Sequence, residues 1–196
     1  MMIGRVAVPA MATAIVITLT GCGSDSTGTA SSPTPAPASA TVQPHNAQDV
    51  TFAQMMIPHH QQAVKMATLA AGRARAAEVK QLATQIEQAQ DPEIKMMQGW
   101  LAGWGESTAV PGDPHGGHDS GMMTTQQMQQ LSVASGAAFD TMFLEMMTAH
   151  HQGAIAMAQI ERAEGQHPPA KQLARSIVDS QQAEIDQMKQ LLASGS

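Results

Sequence analysis

Two stretches of this 196-residue chain repeat each other at a constant offset of 91 residues. Asp49, Phe52, Met55, Met56, His59, His60, Gln61, Ala63, Met66 and Ala67 recur as Asp140, Phe143, Met146, Met147, His150, His151, Gln152, Ala154, Met157 and Ala158. A second block keeps the same offset. Lys80, Gln81, Leu82, Ala83, Ile86, Gln90, Glu93, Ile94, Met97 and Leu101 recur as Lys171, Gln172, Leu173, Ala174, Ile177, Gln181, Glu184, Ile185, Met188 and Leu192. That is 20 identities over 41 positions aligned without a gap. Self-similarity at a fixed, long period means one supersecondary unit used twice. The folded part therefore carries two equivalent units, which a pseudo-two-fold axis can relate.

Each block is helical by periodicity. At roughly 100° per residue, Asp49, Phe52, Met55, Met56, His59, His60, Ala63, Met66 and Ala67 fall within an arc of roughly 140°. Leu82, Ile86, Gln90, Glu93, Ile94, Met97, Trp100, Leu101 and Trp104 share a stripe of about 120°, so Glu93 stands among core positions. Tyr is absent, with only three Phe and two Trp, and this depletes the residues that favour strands. Asn46 is a cap for the first helix, and Thr124 with Gln127 resembles a capping box for a short one. Asp91-Pro92 predicts a kink. Gly105, Pro111 and Gly112 end the second helix. Ser135-Gly136 precedes a long helix from Ala137 to about Glu164, and His167-Pro168-Pro169 opens the last. The expected fold is all-α: an antiparallel four-helix bundle of two αα-hairpins, repeats 49–104 and 140–195, within a domain spanning 46–196.

The stretch before it reads as an address. Residues 1–21 carry Arg5 and then a mostly apolar run, the pattern of an export signal. They end in Leu19-Thr20-Gly21-Cys22, which resembles the lipobox of bacterial lipoproteins and makes Cys22, the only cysteine, the expected lipidation site. Two acyl chains suffice for stable membrane anchoring. Residues 22–45, rich in Ser, Thr, Pro and Ala, bury little apolar surface and read as a flexible tether. The formal charge of −6 argues against a nucleic-acid partner, which needs a basic face. With a single Cys, no intrachain disulfide forms.

The sequence holds 16 Met and 8 His. In the first half Met55, Met56, His59, His60 and Met66 lie at spacings that put them on neighbouring helical turns, with Glu93 and Met97 one turn apart on the next helix. The second half offers Met146, Met147, His150, His151, Met157, Glu184 and Met188. Thioethers with imidazoles favour Cu(I); imidazole with carboxylate also suits Cu(II) or zinc. Structural zinc usually takes Cys, so copper is the expected cofactor, with zinc or iron as the other possibilities. The competing reading is structural. Met packs adaptably in cores, and a His–Glu hydrogen-bonded network would satisfy the buried polar groups as a metal would. A second, weaker set occupies the loop from Pro111 to Met123, namely His115, His118, Met122 and Met123. His45 and His167 read as capping or surface residues. Asp49 and Asp140 either orient a histidine from behind or complement a helix dipole.

The runs Met55-Met56-Ile57-Pro58-His59-His60-Gln61-Gln62-Ala63, Phe139-Asp140-x-x-Phe143-Leu144-x-Met146-Met147-x-x-His150-His151 and Gln90-x-x-Glu93-Ile94-x-x-Met97-x-x-Trp100-Leu101 resemble the DUF305 family. The resemblance covers nearly all of 46–194. It implies a ferritin-like four-helix bundle in exported or membrane-associated bacterial proteins, some associated with copper binding and tolerance, with no assigned enzyme activity. The chain departs from the repeat at Thr148-Ala149, opposite Ile57-Pro58, and at Leu191-Leu192, opposite Trp100-Leu101. A di-iron bundle uses Glu on two helices and Glu-x-x-His on the other two, whereas only two carboxylates stand in the central stripes here. The expected function is that of a lipid-anchored extracytoplasmic metal-binding protein, most simply for copper, on the outer face of the cytoplasmic membrane. A metal-dependent oxidase and a structural surface lipoprotein are the alternatives.

Overall fold

The computed structural model describes residues 44–109 and 121–195. The leader, Cys22, nearly all of the tether, and His115 and His118 lie outside the described residues. Five helices follow in order: α1 (Ala47–Arg73), α2 (Ala77–Trp104), α3 (Thr125–Val133), α4 (Gly136–Glu164) and α5 (Pro168–Ser194). The chain is all-α, and no strand occurs among the described residues. None of the helices is long and apolar enough to cross a membrane.

The local signals act where the sequence puts them. The Asn46 side chain accepts from the Gln48 and Asp49 amides, and Asp49 accepts from Asn46 N at 2.6 Å. Thr124 and Gln127 form the reciprocal box that starts α3. Pro168 and Pro169 open α5. Gly105 ends α2 in the left-handed region, φ 74°, where a side chain would be strained. α2 runs through Asp91-Pro92, where the sequence predicts a kink, and continues to Trp104. Pro92 removes one ladder donor, but it is exposed, while Ile94, Met97 and Leu101 beyond it are buried. Core packing of Ile94, Met97 and Leu101 holds the helix together beyond the proline.

The hairpins α1–α2 and α4–α5 pack on each other mainly through α1 and α4, whereas α2 and α5 touch sparsely. The apolar interior falls into two clusters. One joins Met66, Ala70, Leu82, Ile86, Phe139, Phe143, Met147 and Met188. The other joins Phe52, Met56, Met97, Leu101, Ala158, Leu173 and Ile177. Along every long helix the two clusters are separated by buried polar residues near the midpoint: His59 and His60 on α1, Gln90 on α2, His150 and His151 on α4, Gln181 on α5.

A pair of exchanged carboxylates joins the hairpins. Neither α2 nor α5 has a side-chain cap of its own. Asp140 of α4 instead accepts from Arg75 N and Ala76 N, at 3.0 Å each, where α2 begins. Asp49 of α1 accepts from Gln166 N and His167 N, at 3.0 and 2.8 Å, where α5 begins. Both aspartates are fully buried. Each places a negative charge at the positive end of a helix in the other hairpin. Neither orients a histidine ring, and the dipole they complement belongs to the opposite unit.

The second latch carries an addition that the first lacks. Glu161 is fully buried beside Asp49. Its counterpart in the repeat is Ala70. The space exists because residue 165 is Gly; a Cβ there would collide with the Glu161 carboxyl. Burial, together with the neighbouring Asp49, pushes the Glu161 carboxyl up to about 8. It therefore stays protonated at neutral pH and donates to Asp49. Burial raises Asp49, but the amides of Asn46, His167 and Gln166 and the Glu161 carboxyl outweigh it and hold Asp49 below its ordinary 3.8. Between 4.5 and about 8 the fold retains a Glu161 proton that the unfolded chain has released, so stability falls as pH rises through that window. Asp49 works in the opposite sense, and its contribution is lost on acidification. We expect Glu161→Gln to flatten the fall in the urea midpoint between about pH 5 and 8, measured as a pH series.

Candidate metal centre

The layer between the apolar clusters is built by the repeat. His59 and His60 stand near the middle of α1, His150 and His151 near the middle of α4, and all four are at most 1% exposed. Where the two helices meet, the His59 and His150 rings lie against each other, with centroids 3.7 Å apart and planes tilted by 35°. His60 and His151 flank this pair, each with its ring about as far from its neighbour as the other, 6.4 and 6.5 Å. His60 Nε2 lies 2.7 Å from Glu93 Oε2, and His151 Nε2 lies 2.6 Å from Glu184 Oε2. The His–Glu pair thus occurs twice, once in each half, with the tilted His59–His150 pair at the centre.

The Glu contacts assign roles. A carboxylate oxygen accepts from a ring N–H, so the glutamates engage Nε2 of each outer imidazole. Nδ1 of His60 and of His151 is buried with no hydrogen-bond partner, as are both ring nitrogens of His150. Burial, reinforced by His59, His151 and His60, holds His150 well below the ordinary 6.5, so it is a neutral imidazole, the form that ligates metals. A carboxylate on the far nitrogen is the usual support of a ligating histidine. Glu93 and Glu184 occupy that supporting position, at 19% and 18% side-chain exposure.

The other sequence-predicted residues divide differently. Met56 and Met97 are buried in one apolar cluster, and Met66, Met147 and Met188 in the other. Met55, Met146 and Met157 are half-buried. The buried methionines thus belong to the apolar clusters on either side of the imidazole layer. Met188 Sδ lies 3.7 Å from the Thr148 hydroxyl. Among the described residues no three His, Cys, Asp or Glu side chains are arranged to hold a metal ion; the layer consists of pairs. In the loop set, Met122 is half-buried and Met123 buried. Met123 is clamped by Gln62, whose Nε2 donates to Met123 O at 2.8 Å and whose Oε1 accepts from Met123 N at 2.6 Å.

His45 and His167 are not simple surface caps. His167 is 5% exposed and meets Trp100 and Trp104 edge-to-face at 5.4 and 5.0 Å, and His45 stacks on Trp104 at 4.4 Å. Sequence reasoning placed the tryptophans on the core stripe but had no means of pairing them with a residue 63 positions away. It also passed over Gln90 and Gln181 as site residues. Both are buried at the midpoints of α2 and α5, and their Oε1 atoms have no partner. Their recurrence at the 91-residue offset, one turn before Glu93 and Glu184, was the available signal.

The domain of unknown function DUF305 matches residues 49–192, and the chain belongs to that family. A DUF305 protein of Streptomyces coelicolor, described as secreted, is 36% identical, with 76% of this chain and 93% of that one covered at a TM-score of 0.71. A DUF305 fragment from Deinococcus radiodurans is 32% identical, covering 77% and 99% at a TM-score of 0.71. CopM in its Cu(II)-bound form is 36% identical, covering 76% and 97% at a TM-score of 0.67. No curated protein matches the chain.

The His–Glu bonds have a measurable consequence. Glu93→Ala leaves both ring nitrogens of buried His60 without a partner. We expect a loss of about 1–3 kcal/mol in chemical denaturation, with Glu184→Ala giving a similar loss through His151.

Proposed function

We propose that this chain is an extracytoplasmic metal-binding protein that takes up copper, Cu(I) in particular, at the central imidazole layer, and that it is tethered to the membrane through Cys22. The observation that carries the reading is the set of buried ring nitrogens without partners: Nδ1 of His60 and His151 and both nitrogens of His150. A buried polar atom left unpaired costs about 1–3 kcal/mol, and a sequence that holds several of them in a duplicated layer calls for a ligand that satisfies them. The donor set is neutral imidazole with thioether close by along the same helices, which suits soft, low-charge copper. CopM, a relative of this chain, has been solved in Cu(II)-bound, Cu(I)-bound and silver-bound forms. That supports copper as the cargo, and the secreted relative supports a place outside the cytoplasm. In this reading the bundle is an antiparallel four-helix one of ferritin-like type. His59, His60, His150 and His151 are the ligands, joined by the flanking Met56, Met97, Met147 and Met188. Glu93 and Glu184 hold the outer rings in place.

A second reading has one specific observation behind it. The His60–Glu93 and His151–Glu184 pairs are good hydrogen bonds in themselves, and no three ligating side chains of the His, Cys, Asp or Glu type come together. On that reading the layer is a polar network that fixes the register of two otherwise apolar hairpins.

His150→Leu separates the two. It removes a buried imidazole with two unpartnered nitrogens, so the variant is expected to melt at the same temperature as the parent or higher. It is also expected to lose Cu(I) in anaerobic competition with a chromogenic chelator. If the parent domain fails to compete at micromolar free Cu(I), or if His150→Leu competes as the parent does, the metal reading falls and the register network stands.

A further inference from the structure

The imidazole layer has two sides, and they are built differently. On the α1/α4 side the segment leading into α3 lies across the helices. Gly121 stands so close to Ala149 and Gly153 of α4 that a Cβ would collide with the backbone, and it takes φ 72°. Two residues on, Gln62 of α1 clamps the Met123 backbone with two hydrogen bonds. Gln62 and Gly153 are repeat counterparts, and each lies within one turn of His59 or His150. The repeat is broken at that pair, and the segment is seated on the break. This side is closed.

On the other side α2 and α5 touch sparsely. The imidazoles beneath are unexposed, yet Glu93 and Glu184 show 19% and 18% of their side chains to solvent while bonding His60 and His151. One turn away, at the helix midpoints, Gln90 and Gln181 are buried at 2% and 3% exposure. Their amide oxygens have no partner. A buried, unpartnered carbonyl in a bare core is a cost without a return. Two of them, kept at the same place in both halves, match what a dehydrated cation requires on its way inward: a carboxylate to attract it, then neutral oxygens in place of its water shell.

We propose that the seam between α2 and α5 is the route by which a soft monovalent cation reaches the buried histidines, with Glu93 and Glu184 at its mouth and the amide oxygens of Gln90 and Gln181 further in. The proposal rests on the metal reading above and adds direction to it. The glutamines are positioning residues on the path; the imidazoles remain the destination.

The test uses silver(I) as the probe, because it does not change oxidation state. Uptake into the folded domain is followed by stopped flow, final silver content by elemental analysis, and folding by melting temperature. Gln90→Leu with Gln181→Leu removes the path oxygens at similar volume. The pair is expected to melt no lower than the parent and to reach the same silver content, with uptake slowed about tenfold. Gln62→Ala, which frees the segment on the opposite side, is expected to leave the uptake rate unchanged. Should the double variant melt early, each single variant carries the same rate test. An unchanged rate in the glutamine variants overturns the route, and so does faster uptake in Gln62→Ala. A fall in final silver content without a change in rate makes the glutamines ligands and also overturns it. A parent domain that takes up no silver at all refutes the metal reading itself, an outcome distinct from a parent that loads at a rate indifferent to Gln90 and Gln181.

Discussion

The exchanged aspartates hold this architecture together. Asp49 and Asp140 each reach across to the uncapped start of a helix in the other hairpin. Without them, four backbone N–H groups at two helix starts lose their acceptors, and α1 and α4 lose their fixed register. That register is what brings His59 against His150. A slip of one residue would turn each stripe by about 100° and part the rings. The central layer is therefore a consequence of contacts made at the two ends of the molecule, each worth more for being buried and charge-assisted.

Departures from the repeat are as informative as its identities. Where the halves agree, they build the symmetric layer: paired histidines, glutamates and glutamines. Where they disagree, one half has gained something. Glu161 with Gly165 replaces Ala70 with Ala74, so that one latch holds a proton and the other does not. Gly153 replaces the position of Gln62, so that the segment before α3 crosses on one side only. Trp100 and Trp104 have Leu191 and Gly195 as counterparts, so the indole–imidazole cluster around His167 exists at one end alone. The repeat supplies the central layer, and the departures from it distinguish one end and one side.

The polar layer also sets a tension between stability and function. Replacing the His150 imidazole and the Gln90 and Gln181 amides, whose buried atoms lack partners, with aliphatic groups would leave the two apolar clusters continuous and the bundle more stable. The chain keeps them between clusters that already fold well. Such a layer is tolerable because the clusters on both sides are dense, with Phe139, Phe143, Met147, Leu82 and Leu101 fully buried. The carboxylates of Glu93 and Glu184 remain partly in water, which avoids the larger cost of burying them outright.

Much of this was written in the chain. The 91-residue offset announced two equivalent hairpins, the 3.6-residue period put His59, His60, His150 and His151 on buried faces, and Asn46, Thr124 and Pro168 marked helix starts where the structure has them. Periodicity fixes angle and rise along one helix, which is why these features were legible. It says nothing of which atom on another helix stands opposite, so the rest was decided by tertiary packing alone. Packing put Glu93 and Glu184 against Nε2 of the outer rings, placed the buried methionines in the flanking clusters, and set His167 edge-on against two indoles. It also gave each aspartate to the other half. A contact between residues some 120 positions apart, such as Asp49 with His167, depends on how two rigid hairpins dock, and no local property of either segment encodes that.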